Sequence, residues 1–184
     1  MYLLSLPKYG NDNPEADEMA IRVHEHICNF ARNQGNAVGL SYYLVVLINN
    51  SMNVNFGHVT AALPDGRIAR EPLANGNNPV AGRNTQGATA LFNSLTALSP
   101  EIHAGAVQNM KFSRNMFLKQ RQQIESILQG YWSNGGTQTM ITVVDKGDLE
   151  AAMLEPEKWG HLLIRVGGFS ERFVKLSRDL QMHI

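Results

Sequence analysis

From about Thr85 onward, helical and strand patterns alternate along the chain, and that alternation restricts the fold more than any other feature. Ala90, Leu91, Leu95 and Leu98 recur at helical spacing over residues 88–98, and Pro100 follows. Residues 113–131 carry the longest amphipathic repeat, through Met116, Phe117, Gln120, Ile124, Ile127, Leu128 and Tyr131. Ser113 is suited to cap that helix and Gly135-Gly136 to close it. Residues 139–144 and 161–166 read as strands, and 148–154 as a short helix stopped by Pro156. Residues 177–184 read as a helix starting. The expectation is an α/β fold.

Upstream, Asn13-Pro14 opens a helix: asparagine caps well, proline suits the first turn, and Glu15, Asp17 and Glu18 complement the dipole. Ile21, Val23, Ile27, Phe30 and Ala31 give it one apolar face before residues 33–36 end the pattern. The apolar run at residues 42–48 fits either a strand buried on both faces or a short core helix. Pro64-Asp65-Gly66 is a turn signal. Residues 72–87 form a long stretch poor in apolar side chains, and such loops are usually functional or wrap something else. No internal repeat is present.

Charge narrows the function classes. Lys+Arg 16 against Asp+Glu 16 leaves no net charge, which argues against nucleic acid as a partner. A single cysteine excludes a disulfide framework and an all-cysteine zinc site, and fits a reducing cytoplasm. No apolar run approaches the roughly 20 residues of a membrane span, so no membrane partner is expected. The opening Met1 to Pro7 lacks a basic leader and is not expected to act as a signal peptide.

Several constellations have plain readings. In His24-Glu25-His26 the two imidazoles point in different directions on a helix, so no metal site is expected. Residues 82–87 could cradle a phosphate, but they lack the Lys-Ser/Thr ending and the G-x-G-x-x-G pattern, and read as a helix-entry loop. Cys28, four residues after His24, reads as a buried structural thiol. No Gly-x-Ser-x-Gly elbow occurs. In Arg165-Val166-Gly167-Gly168-Phe169-Ser170, taken alone, the two glycines simply make a turn.

The wider setting of that hexapeptide changes its reading. Residues 163–176, Leu-Ile-Arg-Val-Gly-Gly-Phe-Ser-Glu-Arg-Phe-Val-Lys-Leu, closely resemble the radical-glycine signature of glycyl radical enzymes, the family of pyruvate formate-lyase and the glycerol and diol dehydratases. Asn109-Met110-Lys111-Phe112, Gly135-Gly136-Thr137-Gln138, Asp148-Leu149 and Pro156-Glu157-Lys158-Trp159 resemble later family segments in the right order. Gly66-Arg67, residues 71–76, Pro79-Val80, Gly82-Arg83 and residues 7–12 resemble earlier ones. The resemblance spans nearly the whole chain.

The resemblance implies a C-terminal fragment or subunit of an anaerobic, cytoplasmic lyase that cleaves C–C, C–N or C–O bonds. Residues 1–70 would complete part of the family's α/β barrel. Residues 71–184 would form the glycyl radical domain, with the radical glycine on a loop after a buried strand. The radical would sit on Gly168, with Arg165, Val166, Gly167, Phe169 and Ser170 positioning the loop for its activase. No bound cofactor and no metal are implied in this chain. A separate S-adenosylmethionine/iron–sulfur activase would install the radical. The family passes it to a cysteine in a Gly-Cys loop, and Ile27-Cys28-Asn29-Phe30 is not such a loop, so that cysteine would belong to the remainder of the parent enzyme. Ile184 also falls short of the family's usual tail. A homodimer of the full enzyme remains open. So do two other readings: a spare-part protein that repairs a damaged enzyme, and a non-catalytic α/β binding domain.

Overall fold

The computed structural model describes residues 2–48, 51–166 and 168–184. In chain order they form α1 (Tyr2–Ser5), α2 (Pro14–Ala37), β1 (Val45–Leu47), α3 (Met52–Val59), α4 (Gly87–Thr96) and β2 (His103–Phe112). Then come α5 (Arg114–Lys119), α6 (Arg121–Ser133), β3 (Gln138–Val143), α7 (Lys146–Leu154), β4 (Leu163–Val166), β5 (Phe169–Arg172) and α8 (Arg178–His183). Strands β1, β2 and β3 pair in that order as a parallel sheet, and β4 with β5 makes an antiparallel hairpin. Parallel neighbours need a crossover, which α5 and α6 provide between β2 and β3. The alternation read from the sequence therefore produces a mixed α/β fold.

Two apolar cores hold these elements. Leu91, Phe92 and Leu95 of α4 meet Met110 and Phe112 of β2 and Ile124 and Tyr131 of α6. Val144, Ala152, Leu162, Ile164, Val166 and Phe173 form the second, joining α7 to the hairpin.

Three expectations are corrected. The amphipathic repeat at 113–131 is two helices, because Gln120 leaves the helical basin (φ −125°, ψ 34°). Periodicity misses such a corner when apolar spacing resumes beyond it. Residues 42–48 give neither a buried strand nor a core helix, but a short edge strand with Val46 51% and Tyr42 84% exposed. On α2, Asn13 caps as expected, accepting from the Glu15 and Ala16 amides. Its apolar face nevertheless points outward, with Val23, Ile27 and Phe30 exposed and Asp17, His24, Cys28 and Gly35 buried instead.

The loop at 72–86 has no helix or strand of its own, yet it is bonded throughout. β1 pairs with β2 only as far as Leu47↔Ala106. Past that point the loop takes over the same edge of β2: the Asn77 amide donates to the Val107 carbonyl (2.9 Å). The Asn78 side chain then imitates a peptide, with Nδ2 donating to the Asn109 carbonyl (2.9 Å) and Oδ1 accepting from the Asn109 amide (3.0 Å). Gly76 makes this close approach feasible, since its φ is +61° and a Cβ there would lie 2.7 Å from the Val107 oxygen. The far end of the loop is tied by Asn11, whose Oδ1 accepts from the Thr85 and Gln86 amides and whose Nδ2 donates to the Arg83 carbonyl. At the near end lies Arg67, 2% exposed, whose guanidinium donates to the carbonyls of Thr60, Ala61, Ile68 and Glu71. Residues 7–12, Gly66-Arg67 and the asparagine-rich stretch thus act together as the loop's fastenings.

Candidate functional site

β4 buries one face: Ile164 and Val166 enter the second core while Leu163 and Arg165 face outward. The chain turns back between Val166 and Phe169, which are register partners, and Arg165 stands opposite Ser170. Gly168 occupies this turn with φ +107°, a conformation that disfavours any side chain. It is exposed, and no atom outside its own neighbourhood comes within 4 Å of where a Cβ would stand. Gly167 lies outside the described residues. Arg165 Nη1 donates to Ser170 Oγ (3.3 Å) across the hairpin, Phe169 is 48% exposed, and Val166 is buried. Five of the six residues singled out from the sequence are thus placed on one hairpin.

Behind the hairpin lies a cavity of about 170 Å3. Its walls include Arg165 on one side, Asn75 and Asn84 of the long loop on another, and Asn109, Lys111 and Thr142 of the sheet. Thr142 Oγ1 accepts from the Arg165 amide (3.1 Å). Sequence reading missed Thr142 because a threonine inside a strand has no distinguishing signal. It missed β2 altogether, since Gly105, Gln108, Asn109 and Lys111 break its apolar pattern.

Cys28 is not in this cavity's wall. It is buried and free, and it faces a separate groove of about 440 Å3 between α2 and β1. Its thiol lies 3.7 Å from His24 Nε2, and burial pushes its pKa up, which makes it a poor nucleophile. Among the described residues no group of three His, Cys, Asp or Glu side chains could hold a metal ion, and His26 is exposed while His24 is buried.

His24 packs edge-on against His103, with ring centroids 5.2 Å apart. Burial pushes both pKa values down; for His103 the neighbouring His24 adds to the effect. The Gly105 amide donates to His103 Nδ1 (2.9 Å), so that nitrogen carries no proton and protonation would break the bond. The folded state therefore binds fewer protons than the unfolded chain below about pH 6.5. Stability from this pair is fully present above that pH and is lost as pH falls through the folded values. Urea midpoints taken from pH 7.5 to 5.5 should decline, and His103→Gln should flatten the decline. Asp17, whose pKa is raised by burial, acts with the opposite sign. An equal slope in wild type and variant would refute the assignment.

Residues 73–174 match the family described as "Glycine radical", and residues 1–57 the one described as "Pyruvate formate lyase-like". The chain belongs to the glycyl radical family. The trans-4-hydroxy-L-proline dehydratase of Clostridioides difficile is 28% identical over 180 residues, covering 97% of this chain and 23% of that protein. The glycerol-bound B12-independent glycerol dehydratase from Clostridium butyricum superposes with a TM-score of 0.90 at 33% identity, covering 98% of this chain and 23% of that one. A glycyl radical enzyme from Archaeoglobus fulgidus gives 0.88 at 34% identity, with the same coverage. This chain spans about a quarter of the length of the relatives it matches. The hairpin falls inside the glycine radical match, and α2 and β1 fall inside the other. No helix is long and apolar enough to cross a membrane among the described residues.

Proposed function

We propose that this chain stores a protein radical on the Cα of Gly168 and supplies it to a larger catalytic assembly. The observation that carries this reading is the placement of Gly168 at an exposed hairpin turn, with no atom near its missing side chain. Homolytic loss of one Cα hydrogen leaves an unpaired electron shared with the flanking amide nitrogen and carbonyl, provided the carbon flattens. Glycine alone flattens without moving a side chain.

The hydrogen atom leaves to a separate radical S-adenosylmethionine activase, whose iron–sulfur cluster belongs to that partner. Exposed Arg165, Phe169 and Ser170, with Gly167, present the turn to the activase, while Val166 anchors it from the core. The radical then passes to a cysteine on the remainder of the enzyme, because Cys28 is buried, inert and outside the hairpin cavity. That assembly is a lyase. Dehydration, the activity in the names of two relatives, is C–O cleavage of this kind. In this reading residues 1–70 complete part of the barrel and 71–184 form the radical domain. The chain works in an anaerobic cytoplasm, since oxygen destroys such radicals. Similarity over residues 1–57 as well as 73–174 favours a C-terminal fragment or subunit over a spare-part protein resembling the radical domain.

The test is turnover. With an activase alone, this chain should yield no product from glycerol, 1,2-propanediol or trans-4-hydroxy-L-proline. Product formed without any other polypeptide would refute the division of labour.

A further inference from the structure

We infer that Thr142 is the positioning residue that fixes the Gly168 hairpin to the sheet, an inference that rests on Gly168 being the radical site. The argument starts from the hairpin's own pairing. A two-residue turn between Val166 and Phe169 makes those two a hydrogen-bonded pair, so by alternation Arg165 and Ser170 direct their amides away from each other. The Arg165 amide therefore cannot be satisfied within the hairpin. It meets Thr142 Oγ1 at 3.1 Å, and Thr142 is itself buried, at 8% exposed.

Among the described residues, this is the hydrogen bond that joins the hairpin to the parallel sheet. The hairpin's apolar packing, through Ile164 and Val166, is to the second core, which it shares with α7 and with Val144 just past β3. Apolar packing is non-directional and tolerates sliding, whereas a hydrogen bond to a fixed hydroxyl sets one register. Behind the hairpin the cavity of about 170 Å3 offers little other support to Arg165. The Thr142 hydroxyl thus fixes how far along β3 the hairpin sits, and so where Gly168 stands. Valine has nearly the same shape but cannot accept a hydrogen bond, while serine can.

Amide hydrogen exchange on the full chain tests this. In wild type the Arg165 amide should exchange at least about tenfold more slowly than the amide of exposed Ser170, which points away from Arg165, in keeping with a net hydrogen bond. Thr142→Val should remove about that factor at Arg165 while leaving the Val166 and Phe169 amides protected. Thr142→Ser should restore it. Equal exchange at Arg165 and Ser170 in wild type would overturn the proposal, as would a Ser variant that behaves like Val. The wild-type comparison and the Ser variant decide the matter even if Thr142→Val fails to fold. Absence of any radical at Gly168 in activated wild type would count against the radical assignment and would leave the exchange result standing.

Discussion

Gly168→Ala, incubated without oxygen alongside an activating enzyme, should give no electron paramagnetic resonance signal where the wild-type chain gives a doublet. The doublet follows from the chemistry: one α hydrogen remains on the radical carbon, and its nuclear spin splits the line in two. Admitting air should then cut the wild-type backbone at Gly168 and leave the variant whole. The substitution should be mild otherwise. A Cβ at this position meets no atom within 4 Å, so its penalty comes from φ +107° alone, about 1–2 kcal/mol for an L side chain held in left-handed space. Matching circular dichroism for the two proteins would show that loss of the signal is not loss of the fold. A doublet in the alanine variant would place the radical elsewhere.

Arg67→Met should be the most damaging single change to stability. The substitution keeps an unbranched apolar stem but removes the donors that serve four carbonyl oxygens, in a setting only 2% exposed. Hydrogen bonds from a charged donor contribute roughly 1.5–3 kcal/mol each and do not add fully, so about 4 kcal/mol is expected from urea unfolding. Arg67→Lys should recover only part of it, because one ammonium cannot span carbonyls on both sides of the turn. A loss below about 1 kcal/mol would mean that water can serve those oxygens instead.

Local chemistry was legible in the sequence where one residue type has one physical job. Asn13 and Ser113 cap helices as their side chains suggest, and the turn at 64–66 forms where Pro-Asp-Gly places it. The hairpin residues were legible through their similarity to a family pattern, although the turn itself was not read as a hairpin. What escaped were features created by distant partners. β2 carries Gln108, which is fully buried, Asn109, which is bonded to Asn78 of the long loop, and Lys111, which lines the hairpin cavity, so its apolar pattern is broken although burial still alternates from Gln108 to Phe112. The outward apolar face of α2 escaped for a related reason. Periodicity identifies a face but not which side the rest of the fold occupies, and here Asp17, His24 and Cys28 face inward. Asp17 is held there by Ser94 Oγ of α4, which donates to it (3.0 Å).

The way Asn78 closes the edge of β2 bears on self-association. A free strand edge is a template on which another copy of a chain can add itself. Over Val107 and Asn109 that template is covered, partly by the Asn77 amide and partly by a carboxamide occupying both polar groups of Asn109. Because a side chain does this, the loop can run on past Pro79 without continuing as a strand, and it presents no fresh edge of its own at that point. The sheet is thus sealed against growth along this stretch, where Asn109 also lines the cavity behind the hairpin.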